Sequence, residues 1–329
     1  MTFPSERKQQ RDAAALARRL ESLQLPAVPL RRHADLGLPM QERGGRWGRN
    51  PSAVGIGARE DAAALYRRAD GSDGALVRHV APDSTEERLL PTVGDLLTAV
   101  QPLSGGRTAV LVQDTRNADP QTCATALTLI GADGLELATA EAGPDTVALL
   151  ATTDDRLWVG YGDIGHYAHH PLAWQGLAVF DPQLMAPRAW RVSDLALLNV
   201  SDDVVHASGY SDETVLRIAG GAAQPFAAGW QTYSTLLVDG DRAVLVGGTL
   251  GLSYDDVYVR GAALQAWDVA VPIAMQDGAM HPVGPAVRLV APDGAELPRR
   301  RSWTARGPHL HVVAGREWWR LDLDNLPFH

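Results

Sequence analysis

Four times in the middle of this chain a short apolar run meets an acidic or glycine turn, a second apolar run follows, and a glycine-rich or acidic exit ends the unit. Thr146 to Ala151 leads into Asp154-Asp155, then Arg156 to Val159 and Gly160-Tyr161-Gly162-Asp163. Leu195 to Val200 leads into Asp202-Asp203, then Val204 to Ser208 and Gly209-Tyr210-Ser211-Asp212. Tyr233 to Val238, Asp239-Gly240, Arg242 to Val246 and Gly247-Gly248-Thr249 repeat the order. Asp95 to Val100, Gly105-Gly106, Arg107 to Val112 and Gln113-Asp114 form a weaker copy. Runs this short, bounded by turn residues, read as β-strands joined by hairpins.

The second strands begin near 107, 156, 204 and 242, at intervals of 49, 48 and 38 residues. Each interval has room for two more strands: Ala126 to Ile130 with Leu135 to Ala138, Leu177 to Phe180 with Arg188 to Val192, and Val215 to Ile218 with Gln224 to Ala227. Four strands per repeat at this period describe one blade of a β-propeller. Both ends join the plan. Pro308 to Gly315 with Trp318 to Leu323 reads as half a blade, and Ala53 to Ala58, Ala63 to Tyr66 and Leu76 to Val80 supply three more strands. A blade drawn from both termini would close the ring and remove its open edges. The expectation is an all-β protein, a five- or six-bladed β-propeller over residues 29–329, preceded by a helical segment in residues 1–28. There Ser5 can cap a helix, Ala13, Leu16, Leu20 and Leu23 form a narrow stripe, and Pro26 and Pro29 end it. The 32 glycines and 21 prolines supply the turns. The repeat blurs over 250–300, where the sequence leaves open whether strands or an insertion follow.

The Leu-Trp-Val-Gly-Tyr-Gly-Asp run at 157–163, the Gly-Leu-Ala-Val-Phe-Asp run at 176–181 and the run Ala196 to Val200 ahead of Asp202 resemble uncharacterised bacterial proteins of a WD40-like propeller type. The likeness covers roughly residues 90–325 and implies an architecture without an activity. No regular Gly-His or Trp-Asp signature accompanies it; Trp267-Asp268 occurs once.

A net charge of −9 and a pI near 5.5 repel phosphate backbones and anionic lipid, so neither nucleic acid nor membrane is an expected partner. The single cysteine, Cys123, cannot form an internal disulfide, and the first residues lack the apolar core of a signal peptide, which together read as cytoplasmic. No cofactor motif stands out. Gly160 to Gly165 spells G-x-G-x-x-G after a strand, but His166 to Pro171 does not read as an amphipathic helix start, so a dinucleotide site is not expected.

The stretch from Tyr161 to Leu177 is longer than a hairpin needs and carries Asp163, His166, His169, His170 and Trp174. Imidazoles and a carboxylate in one loop suit a ligand or partner surface; no fixed metal-ligand spacing is met, so no metal is assigned. Asp114, Asp163 and Asp212 fall just past the second strand of their repeats and, with Tyr210, would lie at one end of the ring. There they either face the axial funnel or cap turns. The paired Asp154-Asp155, Asp202-Asp203 and Asp255-Asp256 read as turn chemistry, since neighbours in a strand point to opposite sides. Arg299-Arg300-Arg301 reads as a solvated loop and Cys123 as a buried thiol.

Two functions fit. One is a binding or protein-interaction module, for a protein or a small ligand, acting through loops at one end of the ring. The other is a hydrolase or lyase holding a metal or sugar-like substrate in the funnel through Asp114, Asp163, His166 and Asp212. They differ in whether these groups converge on one bound atom.

Overall fold

Hydrophobic runs buried on both sides alternate with polar outer strands, and the computed structural model arranges them as a ring of six four-stranded blades. It describes residues 25–39, 47–68, 75–82, 84–90, 96–113, 125–185, 187–202, 204–210, 212–228, 234–247, 268–298 and 300–328. The expected helix of residues 5–24, Asp114, Cys123, Trp267 and Asp255-Asp256 lie outside these.

Blade 1 comprises Ala53–Ile56, Ala62–Arg67, Ala75–Ala81 and Ser84–Leu89; blade 2 comprises Leu96–Pro102, Thr108–Gln113, Thr125–Ile130 and Glu136–Glu141. Blade 3 is built of Thr146–Ala151, Leu157–Tyr161, Gly176–Phe180 and Arg188–Arg191, and blade 4 of Leu195–Val200, Val204–Gly209, Thr214–Ala219 and Ala222–Ala227. Blade 5 holds Thr235–Asp239, Arg242–Val246, Val269–Gln276 and Ala279–Pro282, and it gains Val287–Val290, with Ala27–Pro29 running parallel to that strand. The described part of region 250–300 is therefore ordinary blade.

Blade 6 closes the ring. Ser302–Arg306, His309–Ala314 and Glu317–Asp322 come from the C-terminal end of the chain, and Arg31–Asp35 adds as an antiparallel outer strand, with Arg31 opposite Arg320 and Ala34 opposite Trp318. Strands from both ends thus share one blade. The N-terminal contributor is the run Arg-Arg-His-Ala-Asp, whose mostly exposed residues carry no hydrophobic signal.

The core is distributed. Six buried clusters each fill the gap between successive blades, for example Leu111, Leu127 and Leu129 against Leu149, Val159 and Phe180, or Ile56 and Tyr66 against Leu36, Val313 and Trp318. Consecutive side chains on each inner strand pack against the blades on either side, so these strands read as continuous apolar runs.

The first strand of each blade lines the axis, around a funnel of about 410 Å³ walled by residues including Thr98, Leu149, Leu198, Thr235 and Thr304. Where these strands end, the funnel is closed by buried polar side chains. Arg306 donates from Nε and Nη2 to the Ile56 carbonyl, from Nη2 to Gln101 Oε1 at 2.8 Å, and from Nη1 to the Ala151 carbonyl. Asn199 donates to the Leu236 and Gly307 carbonyls at 2.6 and 2.8 Å and accepts from the Gly307 N–H. The strands approach closely enough that a Cβ on Gly55 would stand 1.7 Å from the Val100 carbonyl oxygen. No described helix is long and apolar enough to cross a membrane.

Candidate functional site

The open end of the funnel lies where the first strands begin, and the connections following each second strand emerge on the same side. In blade 3 this connection runs from Gly162 to Gln175. Its residues 163–167 make a single helical turn, where the sequence reads as irregular loop, and Ala173–Gln175 make a 3-10 turn. Asp145 holds the start, accepting from the Gly165 N–H at 3.1 Å through Oδ2 and from the Gly162 N–H through its carbonyl. Gly176 ends the loop with φ of 83°, and a Cβ there would stand 1.9 Å from the Val192 carbonyl oxygen, so only glycine returns the chain to the sheet.

Within this loop His166 stacks on Trp174, centroids 4.5 Å apart at 17°, and the Arg191 guanidinium lies over the Trp174 ring, 4.5 Å from its centroid. Arg191 also donates to the Trp174 carbonyl and to His166 Nε2 at 3.0 Å. A guanidinium only donates, so Nε2 accepts and the imidazole proton sits on Nδ1, which is buried with no partner among the described residues. Tyr167 meets His166 edge-on at 5.5 Å. His166, Tyr167, Trp174 and Arg191 thus form one contacting group.

The other sequence candidates separate. His170 Nδ1 accepts weakly from the Ala173 N–H at 3.4 Å and its Nε2 lies 3.5 Å from Glu141, so it braces the loop against blade 2; His169 is exposed with φ of 56°. Tyr161 belongs to the core between blades 2 and 3, fully buried, its hydroxyl donating to the Ala142 carbonyl at 2.5 Å; burial raises its pKa. Asp212 caps a turn, accepting from the Gly209 N–H at 2.9 Å and the Ser193 N–H at 3.2 Å. Asp163 is exposed on the helical turn, beside Asp194 and Asp145. Burial first, then the charges of Asp163 and Asp145, push the Asp194 carboxyl above its ordinary range. Among the described residues no group of His, Cys, Asp and Glu is arranged to hold a metal ion.

Sequence reasoning misses Arg191, and it misses Val147, Ile164 and Tyr167, which stand with the sequence candidates Trp174 and Tyr210. Arg191 carries no motif, yet it organises the loop. The exposed apolar side chains Val147, Ile164, Tyr167, Trp174 and Tyr210, each between 39% and 60% exposed, gather on this end at blades 3 and 4. Val147 lies against Gly162 in blade 3, and the Tyr210 N–H donates to the Asp194 carbonyl at 2.6 Å, extending the first hairpin of blade 4.

Asp155 departs from the turn reading. Only 4% exposed, it accepts from the Ser104 N–H at 2.9 Å and pairs with Arg107 at 2.6 Å and Arg59 at 3.6 Å, tying the turns of blades 1, 2 and 3. Arg301 likewise is no solvated residue: it pairs with Asp268 and lies 4.6 Å over Trp303.

No protein-family model matches the chain, and no curated protein matches it in sequence. Solved structures similar to it include Kluyvelomyces marxianus Hsv2, at 10% identity over 85% of this chain and 75% of that one with a TM-score of 0.48. The PQQ-bound aldose sugar dehydrogenase of Streptomyces coelicolor shares 12% identity over 91% and 99% of the two chains, with a TM-score of 0.44. A gluconolactonase of Xanthomonas campestris shares 16% over 91% and 96%, with a TM-score of 0.42.

Proposed function

We propose that this propeller is a protein-interaction module, and that its docking surface is the funnel-mouth face of blades 3 and 4. The observation that carries the reading is the clustering there of Val147, Ile164, Tyr167, Trp174 and Tyr210, exposed large apolar groups beside a fixed Arg191. Tryptophan, tyrosine and arginine are the side chains that dominate interface energetics, and ordering them in advance lowers the entropy lost on binding. Asp163 and Asp194 add negative charge at the edge, which favours a partner with a basic rim. The catalytic alternative needs imidazole and carboxylate groups converging on one point. Among the described residues His166 is engaged with Trp174 and Arg191, Asp212 caps a turn, and neither lines the funnel.

The test is quantitative affinity capture with the full chain, comparing the parent with Trp174→Ala, Tyr167→Ala and, on the opposite face, Arg156→Ala. A protein retained by the parent and by Arg156→Ala and lost from both aromatic variants is the expected result, followed by at least a ten-fold weaker Kd for Trp174→Ala with the purified partner. A capture profile indifferent to both aromatic substitutions removes this surface from consideration.

A further inference from the structure

On the face opposite the funnel mouth, a cavity of about 350 Å³ opens between blades 3 and 4. Trp158 and Trp190 form one wall, ring centroids 5.0 Å apart, and Val179, Val205 and Ile218 add apolar surface. A cavity of this size, apolar with a few polar groups at its edge, suits a small molecule.

The charged groups at its rim divide by what already occupies them. Arg156 is held by Asp154, its Nε 2.8 and 3.1 Å from the two carboxylate oxygens. Asp181 spends Oδ1 on the Gln183 and Met185 N–H groups at 2.9 and 2.7 Å. Arg188 and Asp202 make no hydrogen bond or ion pair with any described residue, although both line the cavity. Arg188 lies beside Gly221, where a Cβ would stand 3.1 Å from its Nη1 and where φ of 83° also favours glycine. The Trp158 indole Nε1, on a residue only 4% exposed, is buried with no hydrogen-bond partner among the described residues, leaving a donor of the wall unspent.

A guanidinium and a carboxylate that make no hydrogen bond or ion pair with any described residue, on the rim of one aromatic cleft, are complementary to a ligand carrying both charges and an apolar body. We propose that this cavity binds a small apolar zwitterion, the chemistry of a free aromatic or large aliphatic amino acid. The ligand carboxylate pairs with Arg188, its ammonium with Asp202, and its side chain lies against Trp190 and Trp158. The site is independent of the interaction surface on the other face.

Isothermal titration of the full chain with L-phenylalanine, 3-phenylpropionate and phenethylamine tests this. The parent is expected to bind phenylalanine at least ten-fold more tightly than either single-charge analogue. Arg188→Met should reduce phenylalanine to the level of phenethylamine, and Asp202→Asn to the level of 3-phenylpropionate. Both positions are exposed, so the variants should fold as the parent does; circular dichroism checks this, and Trp174→Ala should leave phenylalanine binding unchanged. No saturable binding of phenylalanine to the parent, or unaltered binding by both charge variants, overturns the proposal.

Discussion

Arg306 on blade 6 reaches blades 1, 2 and 3 through Ile56, Gln101 and Ala151, and Asn199 on blade 4 reaches blades 5 and 6 through Leu236 and Gly307. Two side chains therefore tie the whole ring at its closed end. Burial pulls the Arg306 pKa down to about 9, against the nearby charges of Asp61 and Asp202, which still leaves a cation at neutral pH, and three neutral acceptors hold it by hydrogen bonds. Arg306→Met removes the cation but strands those acceptors, which should cost about 2–4 kcal/mol and lower Tm by roughly 5 °C or more. A Tm equal to the parent's would mean that the cost of burying the charge cancels its bonds. Close approach makes a second prediction at this scale. A Cβ on Gly55 would stand 1.7 Å from the Val100 oxygen and 2.7 Å from its carbon, so backbone must move, whereas on Gly48 the nearest atoms are 3.5 Å away. Gly55→Ala should destabilise by about 3 kcal/mol or fail to fold, and Gly48→Ala should stay within about 0.5 kcal/mol, as measured by urea unfolding.

The turns and strands show what a sequence reader can recover. Inner and second strands such as Thr146–Ala151 and Arg242–Val246 are legible because neighbouring blades bury them. Outer strands are not: Ser84–Leu89 has no fully buried residue, and Arg31–Asp35 has none either, so these strands are held by the backbone ladder and by polar contacts such as Arg78 with Glu87 and His33 against Trp318, which leave no apolar signal. The long loop of blade 3 is visible as a site by its length and its His and Trp content, but Arg191, which stacks on Trp174, sits at the end of an outer strand with no motif to mark it. Adjacent aspartates are equally opaque. Asp154 is an exposed partner of Arg156, whereas Asp155 is buried between Ser104, Arg107 and Arg59, and only tertiary packing separates their roles. Asp155→Asn keeps a residue that tolerates the φ of 64° while removing the charge, and should cost about 2–4 kcal/mol in denaturant unfolding; Asp154→Asn should cost under about 1 kcal/mol. Equal effects would show that the turn, and not its ties to neighbouring blades, sets the stability.

Because the core is six interfaces rather than one, ionisable groups are buried all round the ring, and their protonation bears on the whole fold. Burial first, with Arg88 nearby, lowers His79 to about 4; burial and Arg217 lower His206 to about 4. Burial, then Arg320, His33, Arg306 and His309, hold His311 well below the ordinary range. His79 meets Thr108 Oγ1 at 2.7 Å and His311 accepts from Trp318 Nε1 at 3.1 Å, bonds that neutral imidazoles make. In the unfolded chain each takes up a proton as pH falls through about 6.5, whereas the folded chain takes none until about 4 for His79 and His206. Across that window the unfolded state binds more protons, so stability is full above about pH 6.5 and falls as pH drops, by at most about 1.4 kcal/mol per pH unit for each histidine. Asp61, Asp194 and Asp268 act in the opposite sense, since burial raises their carboxyls and the folded chain takes up those protons first. The carboxyls oppose the histidines wherever the two windows overlap; above that overlap the histidines act alone, so Tm should decline as pH falls from about 6.5. Thermal unfolding from pH 7.5 to 4.5 measures the slope, and His206→Gln should flatten it, removing one of the four lowered imidazoles among the described residues, His33 being the fourth. A Tm constant from pH 7 to 5.5, or a slope untouched by His206→Gln, would place acid sensitivity elsewhere in the ring.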